Sequence, residues 1–160
     1  MERIPISRNG YERLRRELHQ LERHDRHDVI RAIGTAREHG DLSENAEYHA
    51  AKERQGHVEG RIRELQDKLG RAEVIDCTQV DCGRVVFGTV VTLLDVDTDE
   101  EVTYQLLGQE EVDVKQGVIS VFSPLGRAML GRQVGDEVRA TAPRGVREFE
   151  IVSIARASKD

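Results

Sequence analysis

Two stretches of apolar residues at helical spacing, separated by His39-Gly40-Asp41-Leu42, constrain this chain more than any other feature. Before the break, Tyr11, Leu14, Leu18 and Leu21 recur at intervals of three and four, and Val29, Ile30 and Ile33 continue the stripe less regularly. Such spacing puts apolar side chains on one face of a long α-helix, and Ser7 stands where an N-cap belongs. After the break, Val58, Ile62, Leu65, Leu69 and Ala72 step by four, three, four and three, a heptad seam. Gly40 suits the left-handed conformation at a helix C-terminus, and Asp41 suits the cap of the next helix. The spacing predicts an antiparallel helical hairpin with arms of about 30 residues, each about 45 Å long. Its seam thins toward the turn, where the return arm offers only Ala46, Ala50 and Ala51. Two helices alone bury little surface, so the apolar base is expected to dock and the polar tip to protrude.

Charge and composition change along the chain. Of 160 residues with a net charge of -6, residues 1–70 carry 14 basic and 14 acidic side chains, which leaves 10 and 16 for the remainder. All six histidines lie in the first part and most valines in the second, as expected for a helical region joined to a β-rich one. Residues 83–96, 101–108, 117–122, 136–142 and 146–155 read as strands, with turns at 95–100 and 143–145. Ser123-Pro124 reads as an N-cap followed by a first-turn proline, opening a short helix that Gly131 stops. The expected class is α+β: an antiparallel coiled-coil hairpin over residues 1–75, then an antiparallel sheet domain with one short helix over 80–158.

The same numbers exclude several functions. The length is too small for a large enzyme, the acidic balance argues against a general binder of naked nucleic acid, and no apolar run could span a membrane. Cys77 and Cys82 read as two reduced thiols of a cytoplasmic protein. His24 with His27, and His49 with His57, lack a carboxylate or thiol that would complete a zinc tetrahedron.

Chemistry concentrates at residues 39–53, HGDLSENAEYHAAKE, where Asp41, Glu44 and Glu47 follow the break. Residues three apart share a helix face, so Asp41 and Glu44 can converge on one point. The pair is also a capping box, and the two readings are compatible, because a carboxylate that accepts a backbone hydrogen bond keeps lone pairs for a hard cation. Two carboxylates are half of a Mg²⁺ site; a partner would supply the remaining ligands and the phosphodiester.

These residues resemble those of the Gre transcript-cleavage factors of bacterial RNA polymerase, most closely the GreA type. The likeness runs from IPIS (4–7) through REHGDLSENAEYHAAKERQG (37–56), VIDCTQV (74–80), FGTVVTLLDVDTDEE (87–101) and ISVFSPLGRAMLG (119–131) to VGDEV (134–138). It implies an N-terminal coiled coil that enters the polymerase secondary channel and an FKBP-like C-terminal domain that holds the rim. It further implies that the polymerase hydrolyses backtracked RNA near the nascent 3′ end. Asp41 and Glu44 match the family's essential tip acids, which hold Mg²⁺ jointly with the polymerase; none is expected to bind tightly to the isolated protein. Asn45 and Tyr48 match neighbouring positions that orient water or the RNA end, although Tyr48 can equally pack across the thin seam.

Arg37, Lys52 and Arg54 are candidates for the family's basic surface near the RNA, and each can equally belong to a surface ion pair with Glu38, Glu53 or Glu59. Ser123, Pro124, Leu125, Gly126 and Arg127 fall in the region that resembles the polymerase-docking segment, where helix capping is a sufficient local explanation. The resemblance thus implies a non-enzymatic, monomeric, cytoplasmic partner of RNA polymerase with no membrane association. The rival within the same fold is a channel-binding regulator that inhibits without promoting cleavage. Isomerase activity is not expected, since the second half lacks tryptophan and the concentrated aromatics of an apolar proline pocket.

Overall fold

The computed structural model describes residues 2–40 and 45–158, apart from the side chain of Ala142. The chain forms two compact units, one built from residues 1–4 and 11–72, the other from 5–10 and 73–160.

The first unit is the helical hairpin. Its outgoing arm comprises α1 (Arg8–Gln20), a π-helical turn (Leu21–Asp25) and α2 (Arg26–Arg37); its return arm is α3 (Ala46–Arg71). The π turn inserts a residue relative to α-helical phase, which is why the stripe loses regularity after Leu21. Leu14, Val29, Ile33 and Ala36 of the outgoing arm are buried, as are Ala51, Ile62 and Leu65 of the return arm. Ile30, counted with the stripe on sequence, is 51% exposed, because the shifted phase turns it outward.

Two reciprocal bidentate ion pairs cross between the arms. Arg26 donates to both oxygens of Glu59 at 2.7 and 2.8 Å, and Arg61 donates to both oxygens of Glu17 at 2.6 and 3.0 Å. The Arg26 guanidinium holds the Glu59 carboxyl below its ordinary range through these hydrogen bonds.

The second unit has two sheets. β1 (Ile4–Ser7) pairs with β2 (Ala72–Ile75), while β3 (Val90–Asp95), β4 (Glu101–Leu107), β5 (Val118–Ser120), β6 (Glu137–Ala142) and β7 (Gly145–Ala155) form a sheet of order β5-β4-β3-β7-β6. Alternation along β3 buries Val91 and Leu93, which join Val85, Leu106, Val121, Met129, Val138, Phe149 and Ile151 in one core. The short α-helix α4 (Pro124–Met129) contributes Met129 to that core.

Three sequence expectations need correction. The sheet is not wholly antiparallel: β5 runs parallel to β4, with Gln105 opposite Val118 and Leu107 opposite Ser120. Short 3₁₀ turns at Gln109–Glu111 and Val114–Gln116 carry the chain back before β5, where a tight hairpin would have reversed it. The strand expected from residue 83 begins only at Val90, since Gly88 takes φ 90° and a Cβ there would lie 2.7 Å from the Cys77 sulfur. Finally, β1 and β2 were not foreseen, each being only four residues long.

Ser7 behaves as the expected cap, its hydroxyl accepting from Gly10 N at 3.0 Å. The same hydroxyl donates to Glu111, a buried carboxylate that also accepts from Ser7 N at 3.3 Å and Gly108 N at 3.2 Å. Three donors converging on it account for an acid in a dry position with no cation beside it among these contacts.

Candidate functional site at the hairpin turn

Asp41 and Glu44 lie outside the described residues, so the site is defined by what flanks them. On the outgoing side α2 ends in a tightening turn. Glu38 N reaches Thr35 O at 3.1 Å, His39 N reaches Ala36 O at 3.2 Å and Gly40 N reaches Arg37 O at 3.4 Å, with Gly40 at φ 103°. The glycine therefore does what its position suggested: it lets the chain leave the helix in a conformation costly to any other residue.

On the return side, the cap of α3 is Asn45, not Asp41 as the spacing suggested. Asn45 has extended backbone angles and its side-chain oxygen accepts from Tyr48 N at 3.0 Å. Asparagine is among the preferred caps, and Glu47 in the first helical turn complements the helix dipole, so this start was legible in the sequence. The Asn45 amide nitrogen also donates to Ala36 O at 2.7 Å, spanning from one arm to the other. His39 approaches Glu47 at 3.5 Å across the same turn.

Tyr48 is half-buried and packs against Val29, Ile33 and Ala51, meeting the His49 ring edge-on at 5.7 Å between centroids. Of the basic candidates, Arg37 and Arg54 are exposed, and exposed Lys52 donates to Gln55 at 3.1 Å. Glu59, weighed on sequence as a partner for them, is taken by Arg26.

Around α4, Ser123 caps the helix by accepting from Gly126 N at 3.1 Å and donates to Ser120 O at 2.6 Å. Gly126 is required sterically: a Cβ would lie 2.3 Å from Ser120 O. Leu125 packs on the sheet core, whereas Pro124 and Arg127 are exposed. Phe122 at 52% and Leu130 at 41% exposure flank the helix with apolar surface. Both lie within the segment 119–131 that carries the family resemblance, and the two large apolar residues bracketing the capped short helix are visible there in the sequence.

Among the described residues no three His, Cys, Asp or Glu side chains cluster as a metal site, and no helix is long and apolar enough to cross a membrane. Both cysteines are free thiols, and burial pushes Cys77 up to about 11.

A charged two-helix hairpin, whose return helix is capped by Asn45, is carried on the same chain as a small mixed-sheet unit, and this two-part architecture sets the class of protein. Comparison with known proteins specifies that class. Residues 4–74 match the family described as transcription elongation factor, N-terminal, and residues 80–156 match transcription elongation factor GreA/GreB, C-terminal. The chain belongs to the GreA/GreB family of transcription elongation factors. It is 66% identical to the transcription elongation factor GreA of Desulfotalea psychrophila, covering 96% of each chain. It is 53% identical to GreA of Neisseria meningitidis, covering 96% of this chain and 98% of that one. Among solved structures it is similar to GreA factor homolog 1 (Gfh1) of Thermus thermophilus, at 30% identity and a TM-score of 0.45, covering 96% of this chain and 99% of that one.

Proposed function

We propose that this elongation factor inserts its hairpin into the secondary channel of bacterial RNA polymerase and stimulates the polymerase's own hydrolysis of backtracked nascent RNA, releasing arrested complexes. The observation that carries the reading is the turn: acids at Asp41 and Glu44 stand between an arm that ends at Gly40 and a return helix capped at Asn45. Carboxylate oxygens are the donors a hard divalent cation takes, so Asp41 and Glu44 fit Mg²⁺ as part of a shared shell whose other ligands belong to the polymerase. When bound, that ion would supply Lewis-acid stabilisation to phosphodiester hydrolysis. Exposed Arg37, Lys52 and Arg54 would face the RNA phosphates, where a positive charge is what the contact needs.

The second unit, read as FKBP-like, would hold the channel rim through α4. Pro124, Arg127 and the exposed apolar side chains of Phe122 and Leu130 offer the mixed surface such docking uses. The factor would act in the cytoplasm as a monomer, with no chemistry of its own away from the polymerase.

Cleavage of defined backtracked complexes tests this reading. Asp41→Asn and Glu44→Gln should each reduce factor-dependent RNA cleavage by orders of magnitude while competing normally for the polymerase. Wild-type cleavage by both variants would refute it, and slowed elongation without cleavage would favour the inhibitory regulator instead.

A further inference from the structure

The second unit is acidic, yet one part of it holds no acid. Residues 82–94 and 117–135 contain neither Asp nor Glu, although residues 71–160 carry 16 acidic side chains against 10 basic ones. The fold lays these two stretches side by side: Val85 N donates to Arg132 O at 2.8 Å, and Gly131 N donates to Val85 O at 2.8 Å. Three arginines stand there: Arg84 next to Val85, Arg132 across from it, and Arg127 on α4, which ends at Met129 just before them. All three are exposed, and among the described residues no ion pair or hydrogen bond engages their side chains. Elsewhere in the unit Arg139 is paired with Glu148, and Arg147 with Asp95. Phe122, Leu130 and Val134, at 52%, 41% and 58% exposure, set apolar surface among the three cations.

Cations held on adjacent backbone segments with no counter-charge between them repel one another, and an incoming anion relieves that repulsion. A guanidinium meets a carboxylate with two parallel hydrogen bonds, which is why arginine suits this contact better than lysine. Arginine mixed with aromatic and aliphatic side chains is the make-up of a protein-binding patch. Nucleic acid fits less well, because a single strand is held on successive aromatic platforms, and this surface exposes one ring, Phe122.

We propose that Arg84, Arg127 and Arg132 form a docking surface for an acidic segment of RNA polymerase, one that presents carboxylates to the guanidiniums and an apolar side chain to Phe122 and Leu130. The assignment rests on the proposed function above and adds the chemistry of the partner to it. Arg84 and Arg132 lie outside the stretches that carry the family resemblance, and they come together only because the fold brings residue 85 against residues 131 and 132.

Binding of the full-length factor to core RNA polymerase free of nucleic acid, followed by fluorescence anisotropy, tests the assignment. Arg84→Glu and Arg132→Glu should each weaken binding about tenfold, and the double variant about 50- to 100-fold, because each reversal sets a carboxylate against the partner's own. Arg132→Lys keeps the charge but loses the planar fork, and should weaken binding about two- to fivefold. Arg144→Glu makes the same change in net charge at the exposed turn between β6 and β7, and should stay within about twofold of wild type. Between about 0.05 and about 0.2 M salt, wild-type binding should weaken markedly and that of the double variant much less. The melting temperature of each variant should stay within about 2 °C of wild type, since none of these side chains has a partner to lose among the described residues.

Binding by the double variant within twofold of wild type would overturn the proposal. An equal loss in Arg144→Glu would also overturn it, since the effect would then be one of net charge. A loss seen with elongation complexes but absent with bare core polymerase would assign the arginines to nucleic acid and overturn it as well. The two levels separate cleanly: if the wild-type factor itself fails to bind polymerase, the functional reading falls and this proposal with it, and if it binds while the double variant binds equally, only the arginine assignment falls.

Discussion

The reciprocal ion pairs across the hairpin make a quantitative prediction about what keeps its arms in register. Arg26 and Glu59 have side chains 35% and 33% exposed, and Arg61 and Glu17 are 30% and 39% exposed. Fully exposed pairs contribute about 0.2–1 kcal/mol, and bidentate geometry with two-thirds of each side chain covered places these at about 1 kcal/mol each. Arg26→Glu removes that attraction and sets a second carboxylate against Glu59, so the single variant should lose about 1–2 kcal/mol. Glu59→Arg should lose as much. The double variant Arg26→Glu/Glu59→Arg re-forms the pair with its ends exchanged; because Glu22 and Arg63 then face like charges, it should lie within about 1 kcal/mol of wild type, still about 1–2 kcal/mol better than the two losses added together.

Urea denaturation followed by far-UV circular dichroism measures all four proteins. Repeating the cycle at about 1 M salt, where the screening length is about 3 Å, should shrink the coupling. A double variant as unstable as the two singles combined would show that Arg26 and Glu59 contribute through packing of their aliphatic stems, and the argument from charge would be wrong. Because sliding either arm breaks the Arg26–Glu59 and Glu17–Arg61 pairs together, the double variant should also keep full cleavage activity while each single variant loses some.

Other expectations follow from the second unit. The Asp95 carboxyl is held below its ordinary range by its hydrogen bond from Arg147 and by backbone donors Asp97 N and Thr98 N, with Arg147 stacked 5.3 Å over the Phe149 ring. A depressed folded-state value means the stabilisation is present above the unfolded carboxylate value of about 4 and is lost as pH falls through the folded one. Thermal melting of Asp95→Asn should accordingly change less with pH below about 4 than that of the wild type. Gly126→Ala forces a methyl group against Ser120 O and should cost about 1–3 kcal/mol or displace α4, weakening polymerase binding in a competition assay while leaving the hairpin's helical signal unchanged. Cys82 should be alkylated well before buried Cys77, whose thiol is pushed up to about 11; equal labelling of the native protein by mass spectrometry would contradict that burial.

Much of this molecule is written locally. The intervals among Leu14, Val58, Ile62 and Leu65 specify amphipathic helices, Gly40 ends the first of them, Ser7 and Ser123 cap their helices as residue chemistry requires, and the strands lie within a few residues of where apolar runs and turns place them. Each of these depends on interactions within a few positions of the chain, and residue type alone decides them.

Other features required segments remote in sequence to meet. The Asn45 cap is local, but its second hydrogen bond goes to a carbonyl nine residues earlier on the opposite arm. Glu111 is an ordinary surface acid by composition, yet it is buried because Ser7, 104 positions away, brings two donors to it. β5 lies parallel to β4 because the intervening turns redirect the chain, and Arg26 finds Glu59 only after the hairpin closes.

The sequence by itself therefore determined that the chain is a helical hairpin followed by a β-rich unit, because periodicity and capping are properties of neighbouring residues. Only the tertiary structure decided how the turn is braced, which charges cross the seam and which acid is buried, because a hydrogen bond or ion pair between distant residues exists only once the fold has brought donor and acceptor within reach.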